Sequence, residues 1–139
     1  MWVTLDNDVQ QHCQAFSAEQ RDLRIQQLLG LPPQKSPVER HFVVLTVNTD
    51  DVFRPCANPS LADDQCSAAF PSDVSEAHKA WYAGQTALAY QTEGYPWTRL
   101  GYTYNWNPGA DEVGVNEFVI RKGASVKVES VTPTAEYCR

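Results

Sequence analysis

Two side chains of types that act in acid–base catalysis, and an arginine that could pair with one of them, lie where predicted elements could position them. Glu117 interrupts an apolar segment, Val115 to Ile120, so its carboxylate either faces outward or is buried with a partner. Arg99, on the adjoining predicted strand, is the obvious partner, and His78 lies on a predicted helix. A carboxylate, an arginine and a histidine have the composition of a general acid–base site. Glu117, His78 and Arg99 are therefore our catalytic candidates, and the sequence leaves their convergence open.

An aromatic stretch from Tyr95 to Trp106 provides the second candidate site. It holds two of the four tryptophans and three of the six tyrosines, with one arginine among them. Alternation predicts a strand with an apolar face of Leu100, Tyr102, Tyr104 and Trp106. The opposite face would be a polar row of Arg99, Gly101, Thr103 and Asn105.

The two faces of this predicted strand have different expected roles. The aromatic face is expected to pack under the helices, because aromatic side chains stabilise sheets through such contacts. On the polar face, Gly101 would leave room for close approach, and Arg99 could grip a carboxylate or phosphate with two hydrogen bonds. We expect a binding surface at the ends of this strand, with these candidate residues: Trp97, Arg99, Tyr102, Tyr104 and Arg54.

The four cysteines predict two disulfides. Cys56 and Cys66 bracket a loop rich in Pro, Asn, Ser and Asp, which a bridge would close. A bridge between Cys138 and Cys13 would tie the C-terminal tail to the first helix. Two disulfides indicate an oxidising compartment. Four free thiols in a cytoplasmic protein and a zinc site remain as alternatives, but the cysteine spacing does not match the usual zinc motifs, so we predict no metal.

The length and charge of the chain exclude several classes of function. With 139 residues, we expect a single domain, 1–139. The formal charge of −6 argues against nucleic acid and against adsorption to anionic membranes. No apolar run is long enough to span a bilayer, so we predict no membrane insertion. No signal peptide is visible. The cysteines nevertheless favour a periplasmic or secreted protein from which a leader was removed.

The periodicity predicts helices first and strands late. Asp6 or Asn7 would cap a first helix, and a capping box at Ser17 to Gln20 would open a second that ends at Gly30. A third helix would begin at the Ser72-Asp73 cap.

The β-branched run from His41 to Val47 predicts a central strand covered on both faces. Further strands are expected at Val52 to Pro55, in the aromatic stretch, from Val115 to Lys122 and from Ser125 to Val131. The prediction is an α+β domain: an N-terminal helical pair and a third helix packed on a mostly antiparallel sheet of about four or five strands.

One short segment resembles a known family. Asn116 to Ile120, followed by Gly123 and by Val126 to Val131, resembles the last hairpin of ADP-ribosyltransferase-type folds, in which a glutamate begins a strand–turn–strand unit. The resemblance implies a catalytic role for Glu117. The family's upstream arginine or histidine strand is not clearly matched, although Arg54 could be proposed for it, and we do not assign the chain to the family.

Two functions follow as hypotheses. The first is a small exported binding or interaction module that uses the aromatic and arginine surface and the disulfide-closed loop 56–66. Its partner would be a protein or a small polar ligand. The alternative is a small secreted enzyme or toxin, ADP-ribosyltransferase-like or hydrolytic, that uses Glu117 with Arg99 and His78. No catalytic or nucleotide-binding motif is present, and neither hypothesis requires a cofactor.

Overall fold

The computed structural model describes residues 1–34, 36, 38–63 and 65–139. Its helices are α1 (Asp8–Cys13), α2 (Arg21–Leu28), α3 (Glu76–Ala89) and α4 (Thr134–Tyr137). Its strands are β1 (Trp2–Thr4), β2 (His41–Val47), β3 (Val52–Phe53), β4 (Tyr102–Tyr104), β5 (Val113–Ile120) and β6 (Val126–Pro133). All strand pairs are antiparallel, which confirms the predicted α+β class. None of the helices in these described ranges is both long and apolar enough to cross a bilayer.

Strand β5 is the centre of the larger sheet, in which β1, β3 and β4 all pair with it. Trp2 lies opposite Val119, and Thr4 lies opposite Glu117. Paired residues in an antiparallel sheet share a face, and side chains alternate along each strand. Trp2, Glu117 and Val119 therefore project from one face of the sheet, and Phe118 projects from the other.

Strands β2 and β6 form a separate two-stranded ribbon. The prediction of a central strand at His41 to Val47 was therefore wrong, because β2 has one neighbour and Val43 remains 49% exposed. The ribbon contacts the rest of the fold through Phe42 of β2, among other residues. The Phe42 ring stacks on the Tyr137 ring of α4, with 4.0 Å between the centroids. An apolar, β-branched run specifies extended backbone, but distant parts of the chain decide how many neighbours the strand gains.

Two helix starts differ from those predicted. Helix α2 begins after Gln20 with no side-chain cap, so the capping box is not formed. Helix α3 begins after Ser75, whose hydroxyl accepts a hydrogen bond from the His78 amide at 3.2 Å, and not at Ser72-Asp73. The left-handed glycine predicted after the second helix is present, with φ +64° at Gly30.

Both predicted disulfides are present. The Cys13–Cys138 bridge joins residues 125 positions apart and is buried with Ile25, so it fastens the C-terminal segment to α1 and α2. The Cys56–Cys66 bridge closes the loop between β3 and α3. The loop backbone is also held at its base, where the Arg54 amide donates to the Pro59 carbonyl at 3.1 Å.

Candidate ligand-binding cleft

The aromatic stretch forms a much shorter strand than predicted. Only Tyr102–Tyr104 is extended and paired with β5, because Arg99 (φ 62°) and Gly101 (φ 79°) adopt left-handed backbone conformations that interrupt it. The buried side of the strand is also the opposite of the predicted one. Thr103 is buried, and its hydroxyl donates to the Leu28 carbonyl at 2.6 Å, so the predicted polar row is not a ligand-facing surface.

Trp97 belongs to the aromatic core, and only a small part of its side chain is exposed. It is 5% exposed, and its indole Nε1 donates to the Pro55 carbonyl at 3.0 Å. Its ring lies 5.7 Å from the Trp81 ring in an edge-to-face arrangement and 5.0 Å from the Tyr82 ring. Trp97 therefore anchors the segment before β4 against α3.

Arg54 is likewise a buried structural residue and not part of an open surface. Its guanidinium donates to the Asp63 carbonyl at 2.8 Å and lies 5.5 Å from the Phe118 ring centroid. The missing side chain of Gly101 makes room for this group, because a Cβ there would come within 2.9 Å of Nη2. The space predicted at Gly101 is therefore filled by a residue of the protein itself.

The other predicted binding residues lie away from the buried core. Arg99 is exposed, and its guanidinium carbon is 5.3 Å from the Tyr90 ring centroid. Tyr102 and Tyr104 are half-buried. Tyr104 borders a shallow groove with Tyr90 and Thr98 at the end of α3.

The three catalytic candidates are each engaged differently. His78 is buried, with Nε2 2.8 Å from the Cys56 carbonyl oxygen and its ring stacked on Trp81. Arg99 contacts Tyr90. In the part of the chain that the structure describes, no hydrogen bond or ion pair joins Glu117 to either of them. The predicted acid–base trio is therefore not assembled by direct contacts.

Glu117 instead lines a cleft of about 430 Å³ between α3, β1 and the segment before β4. The size is within the range of small-molecule sites. Most of the lining is apolar or aromatic: Trp2, Leu29, Gly30, Leu31, Leu88, Ala89, Gly94, Tyr95, Pro96 and Trp97, with Gln85, Glu93 and Glu117 as the remaining side chains. Loop 56–63 and the described residues 65–66 contribute none of this lining.

The carboxyl group of Glu117 has an altered acidity. Burial among apolar groups raises the pKa of Glu117 from 4.5 to about 7, because the charged form loses hydration. Among the described residues, no cation or hydrogen-bond donor lowers this pKa in compensation. No group of three or more potential metal ligands occurs in the described ranges, so the Glu117 carboxyl group does not belong to such a group there.

Two tryptophan rings form a corner of the cleft. The Trp2 and Trp97 centroids lie 5.8 Å apart, with their planes at 76°. The Trp2 ring also contacts the Trp81 ring, with 6.0 Å between the centroids. The rim is exposed, with Leu88 at 60% and Tyr95 at 61%. The cleft is therefore open at the rim and bordered by tryptophan rings in tilted and edge-to-face contact.

Sequence reasoning missed most of this cleft. It identified Glu117 and Trp97, but it predicted that they act together with other residues than those that line the cleft. Trp2 and Glu93 were not selected, and Tyr95 was noted only as part of the aromatic stretch. The pairing of β1 with β5 brings Trp2 beside Val119, and no local pattern reveals a contact across that sequence separation.

Comparisons with protein-family models, with curated proteins and with solved structures find no match to this chain. The function is therefore argued from the geometry of the cleft.

Proposed function

We propose that the protein is a binding module of an oxidising compartment, periplasmic or extracellular, and that it takes its ligand in the Glu117 cleft. The observation that carries the proposal is the Glu117 carboxyl group, which is partly buried against apolar walls without a partner among the described residues. Burying such a group costs stability unless it is paired. Proteins retain such local conflicts chiefly where a function requires them.

The surroundings of the carboxyl favour binding over chemistry. The imidazole of His78 is bonded to a backbone carbonyl, and Arg99 lies on Tyr90. Neither supplies a reacting partner to the cleft by a direct contact. The aromatic corner and the open rim, in contrast, are features of a site that receives an apolar ligand and orients it with one polar group. The two disulfides support the proposed compartment, since such bridges persist under oxidising conditions.

A hydrolytic enzyme is the second candidate, and one observation favours it. A carboxyl group with a pKa of about 7 is suited to act as a general acid near neutral pH. Glu93 lines the same cleft and would provide a second carboxylate. The ADP-ribosyltransferase-like version has less support. The Arg54 guanidinium lies over the Phe118 ring, and Phe118 projects from the opposite face of β5 from Glu117.

A fragment screen followed by NMR tests the binding proposal. Cationic, neutral and anionic fragments are added to the ¹⁵N-labelled protein, and the indole signals of Trp2 and Trp97 and the amide of Gly94 are followed. We expect at least one class to shift these signals. Leu88→Trp, at the rim, should weaken the response by partly filling the cleft. Val128→Trp is the matched control, because Val128 is similarly exposed, at 55%, but lies on the β2–β6 ribbon.

The screen also separates the two functions. If no class perturbs the cleft signals, the binding proposal is wrong. If a fragment is cleaved by the wild type but not by Glu117→Gln, the hydrolytic candidate replaces it.

A further inference from the structure

We propose that the ligand of the Glu117 cleft carries an alkylammonium group, which pairs with the Glu117 carboxylate and lies against the Trp2 and Trp97 rings. This inference rests on the proposed binding function and names the ligand class. The group would be a positively charged nitrogen on an apolar stem, whether it belongs to a free amine or to a lysine side chain of another protein.

The charge of the lining favours a cation. Glu93 and Glu117 are its acidic residues, and none of the described lining residues is Lys, Arg or His. An anionic ligand would meet two carboxylates with no compensating charge. A cation, in contrast, supplies the counter-charge that Glu117 lacks, and its attraction to the carboxylate is strengthened where apolar walls exclude water.

Four of the donors around the cleft already have partners within the chain. The backbone amides of Gly30, Leu31 and Gly94 donate within the chain, to the carbonyls of Gln27, Gln26 and Gln91. The Trp97 indole donates to Pro55. A site for an anion or for a sugar would be expected to present free donors at such positions. Gln85 and Tyr95 also carry donors in the lining, but no donor among the described residues contributes to the pKa of Glu117, so its carboxyl group is an acceptor that a ligand donor could satisfy.

The aromatic corner is suited to the same group. Trp2 and Trp97 both line the cleft, and an ammonium group over an aromatic face is attracted by the ring quadrupole. Trp2 and Trp97 meet at 76°, and Trp2 is 40% exposed. The ligand stem would leave past Leu88, Tyr95 and Pro96, which provide apolar contact toward the rim.

Three probes of the same shape test the inference: n-butylammonium, n-butanol and butyrate. We expect n-butylammonium to shift the Trp2 and Trp97 indole signals at pH 8 with an affinity about tenfold or more above that of n-butanol, and butyrate to leave them unchanged. Glu117→Gln should remove about tenfold of the affinity for the cation and leave that for n-butanol unchanged. Glu93→Gln is the matched control, with a smaller loss expected because Glu93 is exposed.

The affinity should also depend on pH. It should fall as Glu117 gains a proton below pH 7, and this fall should be absent in Glu117→Gln. The other titratable groups near the cleft are Glu93, Tyr95 and the Met1 amino group, which donates to the Ile120 carbonyl. Both variants retain the last two, so they separate the effect of Glu117 from the rest.

The outcomes keep the inference apart from the proposed function. Equal binding of n-butanol and n-butylammonium by the wild type, or preferred binding of butyrate, would overturn the cationic ligand while the binding function stands. If none of the three probes and no fragment perturbs the cleft, the binding function itself fails. Nα-acetyl-lysine-methylamide distinguishes the two sources of the cation: tighter binding than n-butylammonium, with shifts at Tyr95 and Leu88, indicates a lysine of a protein partner, and equal binding indicates a free amine.

Discussion

Arg54 and Glu117 are two charged side chains withdrawn from solvent at opposite faces of the same strand, and they differ in what surrounds them. Arg54 is 6% exposed and contacts Phe118, which projects from one face of β5. Glu117 projects from the other face into the cleft. Both were selected from the sequence as candidate functional residues. The structure gives them different roles, because one charge is enclosed by the protein and the other faces a space.

The contacts of Arg54 join three parts of the fold. Its guanidinium donates to the Asp63 carbonyl in the disulfide-closed loop and makes a long, 3.5 Å contact with the Asn116 side chain of β5. Its guanidinium carbon lies over the Phe118 ring at 5.5 Å, and the backbone of Gly101 packs beside it. Nε has no hydrogen-bond partner among the described residues, and a Cβ at Gly101 would lie 3.1 Å from it. Arg54 is therefore a structural anchor.

Glu117 has the opposite arrangement, with space beside its carboxyl group and no bonded partner in the described residues. The comparison suggests a criterion for unassigned structures. A buried charge whose surroundings are filled by the protein contributes to folding. A desolvated charge that faces a cleft costs folding energy, and that cost is recovered when a ligand binds.

The largest effect is expected for removal of the anchor. Arg54→Met should lower the free energy of unfolding by about 3 kcal/mol, because the substitution removes the buried guanidinium together with its charged hydrogen bond to the Asp63 carbonyl and its contact with the Phe118 ring. Chemical denaturation measures this change. Arg99→Met is the matched control, since Arg99 also lies over a ring but is exposed, and it should change stability by less than about 0.5 kcal/mol. Equal effects of the two substitutions would remove the distinction drawn for Arg54.

The second prediction concerns the pH dependence that Glu117 imposes. Its pKa is about 7 in the folded protein and 4.5 as a free side chain. Between these values the folded state holds the proton that the unfolded state has released, so stability falls as pH rises from 4.5 to 7. At about 1.4 kcal/mol for each pKa unit between 4.5 and 7, the loss amounts to at most about 3.5 kcal/mol, and contact with solvent at the open side of the cleft reduces it.

Glu117→Gln isolates this contribution. Relative to the variant, the wild type should lose stability between about pH 4 and about pH 8, and the variant should be the more stable protein above pH 7. Denaturant unfolding of both proteins at each pH gives the difference directly, because the other titrating groups are common to both. A constant difference across this range would mean that the folded and unfolded states have the same Glu117 pKa, because the carboxyl group is solvated or paired, and the proposal of a ligand site at Glu117 would lose its main support.

The sequence predicted those features that local chemistry determines. Gly30 takes the left-handed conformation expected at the end of a helix, and the cysteines pair as their positions suggested. Strands β5 and β6 lie close to their predicted positions, but they belong to different sheets and do not form the hairpin on which the family resemblance rested. The glycine and the strand patterns specify the conformation of residues close to them in the sequence. The disulfides could be predicted because four cysteines allow few pairings.

The features that were predicted wrongly depend on distant contacts. Alternation correctly places Tyr102 and Tyr104 on the opposite side of the strand from Thr103, but it does not show which side is buried. Thr103 faces inward because its hydroxyl donates to Leu28 and accepts from the Val115 amide. In the sequence, Arg54 has the features of an exposed charge. In the folded protein, the disulfide-closed loop, β5 and Gly101 enclose it. The cleft itself requires Trp2 beside β5, which only the sheet register provides.

The smallest predicted effect tests how closely the anchor is enclosed. Gly101 and Gly109 both have positive φ, 79° and 82°, so an alanine strains the backbone by about 1 kcal/mol at either position. At Gly101 the added Cβ would also lie 2.7 Å from the Cys66 sulfur and 2.9 Å from the Arg54 guanidinium, whereas at Gly109 it meets nothing within 4 Å. Gly101→Ala should therefore cost about 2 kcal/mol, roughly twice the cost of Gly109→Ala.

In the Arg54→Met background the excess cost at Gly101 should shrink, since the flexible methionine can move away. An excess that persists unchanged in the double variant would assign it to the disulfide alone, and Arg54 would then be less tightly packed than the comparison with Glu117 requires.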